Sequence, residues 1–132
     1  MPFEDNSLLS GQSVFDDLSI DDVEVKSGWV YFISEQALNG AVIGIKVGYS
    51  KEPSGRIANL QTGNSNELTL MFSVRGTKAD ERRLHSLLAS YNIKNEWFTV
   101  HPFVSSVLEI CSNSGKVPEI KIINGTPIKQ ET

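Results

Sequence analysis

The sequence predicts an α+β domain: a small antiparallel sheet of three core strands flanked by helices, followed by a C-terminal β-hairpin. Three observations carry this. The runs GWVYFIS (28–34), AVIGIKVGYS (41–50) and ELTLMFSVR (67–75) are rich in β-branched and aromatic residues, as half-buried strands are. The stretch TKADERRLHSLLASY (77–91) spaces its apolar residues at the helical period. Two Asn-Gly pairs, at 39–40 and 124–125, sit between apolar runs, where hairpin turns are built.

Taken in order, residues 1–26 form an acidic segment with too few apolar residues for a core. It reads as a flexible tail. The first two strands flank Asn39-Gly40. A two-residue turn there sets Tyr31 opposite Gly48 and Ile33 opposite Lys46, so Tyr31 and Lys46 share one face. Val30, Phe32, Ile45 and Val47 then point into the core. A longer loop keeps these faces if it preserves parity. PSGRIANLQ (53–61) is a short helix with Pro53 in its first turn and Gly63 past its end. Thr77 is the expected N-cap of the long helix. NEWFTV (95–100) reads as an extended link, PFVSSVLEICS (102–112) as a helix, and EIKIINGTPIKQ (119–130) as a hairpin with Pro127 on an edge strand. The expected organisation is a tail at 1–26, a core at 27–100 and an extension at 101–132.

Composition narrows the function. No run approaches the ~20 apolar residues of a membrane span, and the acidic start does not resemble a secretory signal. The one cysteine, Cys111, forms no internal disulfide, and no Cys/His cluster suggests structural zinc. A cytoplasmic protein is expected. The net charge of −4 is unevenly spread: residues 1–27 hold seven acids and one base, whereas residues 46–95 hold eight bases and four acids. A basic middle behind an acidic front suits a polyanionic partner.

Several residues stand out. Lys46 interrupts an apolar strand. Arg56, on the first helix, carries the planar fork that suits phosphate. On the long helix, stepping ~100° per residue sets Leu84, Leu87, Leu88 and Tyr91 on the buried stripe. Glu81 and His85 lie side by side on its shoulder. A carboxylate at a core rim needs a partner or a metal.

The ordered set GWVYFI, IKVGYS, Arg56 eight residues after Gly48, ERRLHSLL and NEWF resembles the GIY-YIG nuclease superfamily. It is closest to the phage and bacterial branch whose second motif reads Lys-Ile-Gly, over residues 28–100. The resemblance implies a GIY-YIG-like fold and a metal-dependent endonuclease that hydrolyses DNA phosphodiesters with Mg²⁺ (or Mn²⁺). It implies that Tyr31 contacts the attacking water or acts as general base and that Lys46 takes the second tyrosine's place. Arg56 would hold the scissile phosphate and Glu81 the metal. A lysine charge near Tyr31 would favour phenolate, which gives Lys46 a reason to be there. His85 is placed to orient a metal water or protonate the leaving oxygen. Arg75, Lys78, Arg82 and Arg83 are expected to track the nucleic-acid backbone, with strong salt dependence. Trp97 and Phe98 read as core.

Two other readings stand beside the enzyme: a non-catalytic nucleic-acid- or protein-binding module on the same fold, and a structural protein with a vestigial site. The acidic front suits solubility, a protein partner, or an autoinhibitory contact over the basic face.

Overall fold

The structure, a computed structural model, describes residues 27–130; the expected acidic tail lies outside the described residues. Strands β1 (Ser27–Gln36) and β2 (Val42–Ser50) form the expected hairpin. Tyr31 faces Gly48 and Ile33 faces Lys46, and this register runs from Trp29 opposite Ser50 to Glu35 opposite Gly44. The connection is longer than two residues. The Gly40 amide donates to the Ala37 carbonyl at 2.8 Å and the Ala37 amide to the Ala41 carbonyl at 2.9 Å. Gly40 takes φ +88°, a conformation open to glycine at no steric cost. An irregularity between Glu35 and Gln36 absorbs the extra residues, so the faces survive.

Helix α1 (Pro53–Thr62) follows, then β3 (Glu67–Thr77), which pairs antiparallel with β1. Helix α2 (Lys78–Leu87) starts at a full capping box: Thr77 Oγ1 accepts from the Asp80 amide at 3.1 Å, and the Asp80 carboxylate accepts from the Thr77 amide at 3.0 Å. Replacing Thr77 with alanine should therefore cost about 1 kcal/mol, read from urea denaturation midpoints. A 3₁₀ turn (Ala89–Tyr91) ends the segment that the sequence predicts as one helix to Tyr91.

The three-strand expectation is corrected to five. The stretch read as an extended link contributes β5 (Trp97–Phe98), which pairs with β2, and the preceding residues contribute β4 (Asn92–Lys94), which pairs with β5. The sheet order is β3-β1-β2-β5-β4. Asn95 makes this turn by adopting φ +54°, a left-handed conformation that asparagine tolerates better than most residues. The Asn92 side chain ties the turn by donating to the carbonyls of Asn95 (2.8 Å) and Trp97 (3.1 Å).

Helix α3 (Pro102–Ser114) is capped by His101, whose Nδ1 accepts from the Phe103 amide at 3.0 Å. Strands β6 (Ile120–Ile123) and β7 (Thr126–Lys129) form a separate two-stranded sheet around Asn124-Gly125, both at positive φ. Pro127 is buried within β7.

Helices cover both faces of the main sheet. On one, Val30, Phe32, Ile45, Val47 and Val74 pack against Leu84 of α2, Leu88 just past its end, and Val104, Val107, Leu108 and Cys111 of α3. On the other, Tyr31, Ile33 and Leu68 pack with Ile57 and Leu60 of α1 and with Trp97. The period-2 alternation of β1 thus sends Tyr31 toward α1 and its neighbours Val30 and Phe32 toward α2 and α3. No helix among the described residues is long and apolar enough to cross a membrane.

Candidate functional site

Tyr31 is the floor of the site. It is 1% exposed, and its ring lies over Gly48, the only residue type that fits beneath it. A methyl group at position 48 would sit 2.8 Å from Tyr31 Cε1 and closer still to the far end of the ring. Burial pushes the phenol pKa above its ordinary value. Arg56 opposes the shift through a hydrogen bond and its charge, and Glu96 and Glu81 reinforce it. Three chain segments, α1, α2 and the β4–β5 turn, thus converge electrically on one hydroxyl.

Burial raises this pKa by disfavouring the charged phenolate. The neutral phenol's contribution to stability is full below the unfolded value of 10.0 and is lost as pH rises through the higher folded value. Tyr31→Phe should remove this dependence. Melting temperatures at pH of about 8 and about 11 should show a larger alkaline drop for the wild type than for Tyr31→Phe.

Lys46 is 7% exposed and shares the face of Tyr31, as its register requires. Its ammonium is committed elsewhere than expected: Nζ donates to Glu96 Oε1 at 2.8 Å and lies 5.8 Å from the centroid of the Trp97 ring. The cation that favours phenolate at Tyr31 is Arg56. The Lys46 charge is matched by a carboxylate, which is what a buried ammonium requires. Glu96 is the site residue that sequence reasoning missed. The signal was available, because a lysine inside a strand demands a counter-ion. The partner is 50 positions away, beyond the reach of local spacing.

Glu81 and His85 come together as the helical angles predict, on the shoulder of the buried stripe. Glu81 is 2% exposed. Its Oε1 accepts from Lys78 Nζ at 2.9 Å, while Oε2 is buried with no hydrogen-bond partner among the described residues. His85 Nε2 lies 3.8 Å from Glu81 Oε2 and 2.8 Å from the Val47 carbonyl oxygen. A carbonyl only accepts, so Nε2 carries a proton and donates it there. That bond ties α2 to β2, with the imidazole edge against the Phe98 ring. It engages Nε2 of the residue expected to orient a metal water or protonate the leaving oxygen. Arg56 is exposed on α1.

The remaining basic residues divide. Arg82 is exposed on α2, and Arg75 lies over the Trp29 ring at 4.9 Å. Lys78 belongs to Glu81, which raises its pKa through their hydrogen bond. Arg83 staples α2 to the C-terminal segment: it pairs with Asp80 at 2.7 Å and donates to the Val117 carbonyl at 2.9 Å and the Pro118 carbonyl at 3.3 Å. Cys111 is buried, and its thiol is pushed up to about 12 by burial, which makes it inert.

Among the described residues, no three His, Cys, Asp or Glu side chains form a metal cage. The donor set that remains is one buried carboxylate with a free oxygen. It fits magnesium, which keeps most of its waters and completes its shell with substrate phosphate.

Comparison with curated proteins and with solved structures gives no match. A protein-family model does match: the T5orf172 domain, over residues 28–114. The match takes in the candidate site residues, all of the five-stranded sheet but Ser27, and α3, and ends before the β6–β7 hairpin. It overturns the assignment to the GIY-YIG nuclease superfamily drawn from short motifs: the chain belongs to the T5orf172 domain family.

Proposed function

We propose that this chain is a metal-dependent endonuclease that hydrolyses phosphodiester bonds in DNA, in the cup formed by Tyr31, Lys46, Arg56 and Glu81. The observation that carries the reading is the orphaned oxygen of Glu81. A buried carboxylate oxygen without a partner is expensive, and a fold keeps one where a ligand completes it. The guanidinium of Arg56, exposed on α1, hydrogen-bonds the Tyr31 hydroxyl, a pairing that suits an ionised ester.

The roles follow from chemistry. Arg56 donates to the non-bridging phosphate oxygens and offsets the charge that grows on them. Glu81 Oε2 would hold Mg²⁺, or Mn²⁺ in its place; when bound, the ion stabilises the phosphate's charge and lowers the pKa of water. Tyr31 is neutral in the free protein, so its hydroxyl orients the attacking water. As the attacking water forms its bond to phosphorus and the ester P–O bond breaks, the Tyr31 oxygen takes up the proton that the water gives up while its own phenolic proton passes to bulk solvent, and Arg56 offsets the charge left on the phosphate. Lys78, released from Glu81, and Arg82 suit the flanking phosphates, so binding should weaken steeply with salt. The inert Cys111 thiol fits a reducing cytoplasm.

A second reading, a non-catalytic nucleic-acid-binding module, is favoured by one observation. Lys46 is already neutralised by Glu96 and Glu81 Oε1 by Lys78, so the cup is nearly charge-balanced without a metal. Nicking of supercoiled plasmid separates the two. The enzyme reading expects conversion to open circles with Mg²⁺, none with EDTA, and none with Glu81→Ala. Binding without cleavage of supercoiled, linear, branched or single-stranded DNA overturns it in favour of the module.

A further inference from the structure

Glu96 is fixed against Lys46 by more than the 2.8 Å ion pair. Its carbonyl accepts the Val47 amide at 3.1 Å, and the next residue, Trp97, pairs with Lys46 across the sheet. The Trp97 ring packs in the same cluster as Tyr31 and α1. The carboxylate is therefore held in place beside Lys46, and its side chain remains 33% exposed. A lysine that merely tolerated a strand position would extend its ammonium to water. Lys46 is turned inward instead and held by one oxygen.

We infer that Glu96 is a positioning residue of the cup: its carboxylate clamps the Lys46 ammonium beneath the phosphate-binding face, so that Lys46 meets an incoming phosphodiester in a single orientation. The inference rests on the nuclease reading and adds a residue to it. With the clamp in place, Lys46 presents its remaining donors to the anion without rearranging, which is where positioning lowers a barrier. The clamp also governs the neighbouring phenol. The charged groups that act on the Tyr31 phenol are Arg56 on α1, Glu81 on α2 and Glu96 in the β4–β5 turn, and Lys46 on β2 is the cation paired with Glu96. Of these, Glu96 is the anion that answers Lys46. Neutralising it removes one negative charge from the phenol's surroundings and leaves the lysine's positive charge uncompensated.

The test uses the full chain with Glu96→Gln and Glu96→Asp, each checked for folding by its melting curve. In the absence of DNA, tyrosine ring-carbon NMR should show the Tyr31 phenol ionising at lower pH in Glu96→Gln than in the wild type, with Glu96→Asp close to the wild type. In single-turnover cleavage, Glu96→Gln should lose about tenfold in kcat with KM little changed, and Glu96→Asp should recover most of it. A folded Glu96→Gln whose Tyr31 titration is unmoved overturns the inference. So does a kcat equal to the wild type's, which would leave Glu96 a structural counter-ion. A wild-type chain inert on every form of DNA removes the nuclease reading alone, and the titration still decides the clamp.

Discussion

Glu81→Met is expected to make the protein more stable and to abolish cleavage. The carboxylate is 2% exposed and one of its oxygens has no hydrogen-bond partner among the described residues. An unsatisfied buried polar atom costs about 1–3 kcal/mol, and methionine fills nearly the same volume without it. The partner left behind, Lys78, has a side chain 52% exposed and is solvated by water, so its loss of a pair matters little. His85 keeps its bond to the Val47 carbonyl. The net expectation is a gain of about 1 kcal/mol in urea denaturation together with a fall of about 10³-fold in single-turnover cleavage. Opposite signs for stability and activity mark a group kept for chemistry rather than for folding. A variant destabilised by more than about 1 kcal/mol would show instead that Glu81 serves the fold through Lys78. One that cut at the wild-type rate would remove it from the metal site.

Gly48→Ala carries the second large effect. The added methyl would stand 2.8 Å from Tyr31 Cε1 and nearer to Cζ and the hydroxyl. The ring cannot swing away, because it is 1% exposed and packed with Ile33 and Leu68 beneath α1. Overpacking of this kind costs about 1–3 kcal/mol, and the upper half of that range is expected. The displaced hydroxyl should also lower cleavage about 10²-fold, as misplacement near 1 Å does. The cost should vanish in a Tyr31→Val background, where the far end of the ring is gone. A double-mutant cycle by chemical denaturation measures this directly. An equal cost in both backgrounds would place the strain elsewhere in β2.

What the sequence disclosed followed local rules. Parity across Asn39-Gly40 set Tyr31 opposite Gly48, and it survived a longer turn because Gly40 at positive φ and one irregularity absorbed the extra residues. The Thr77 cap and the shared shoulder of Glu81 and His85 follow from helical geometry over four residues. What stayed hidden was either too short or too distant. Strand β5 is two residues long, below the length at which alternation shows, and its turn depends on a left-handed asparagine. The Lys46–Glu96 pair joins residues whose only connection is the fold. Arg83 reads as a free cation until the C-terminal segment brings the carbonyls of Val117 and Pro118 to it. The site was legible as a set of residue types, whereas its charge pairing was not.

The claim beneath the rest is that Glu81 and its neighbours receive a divalent cation together with a phosphodiester. Manganese broadening of backbone NMR signals, with a short DNA duplex present, tests it most directly. The account predicts that amides around Tyr31, Arg56, Glu81 and His85 lose intensity first, and that Glu81→Met abolishes this loss. Broadening confined to the acidic residues before Ser27, with those amides untouched in the wild type, would contradict it.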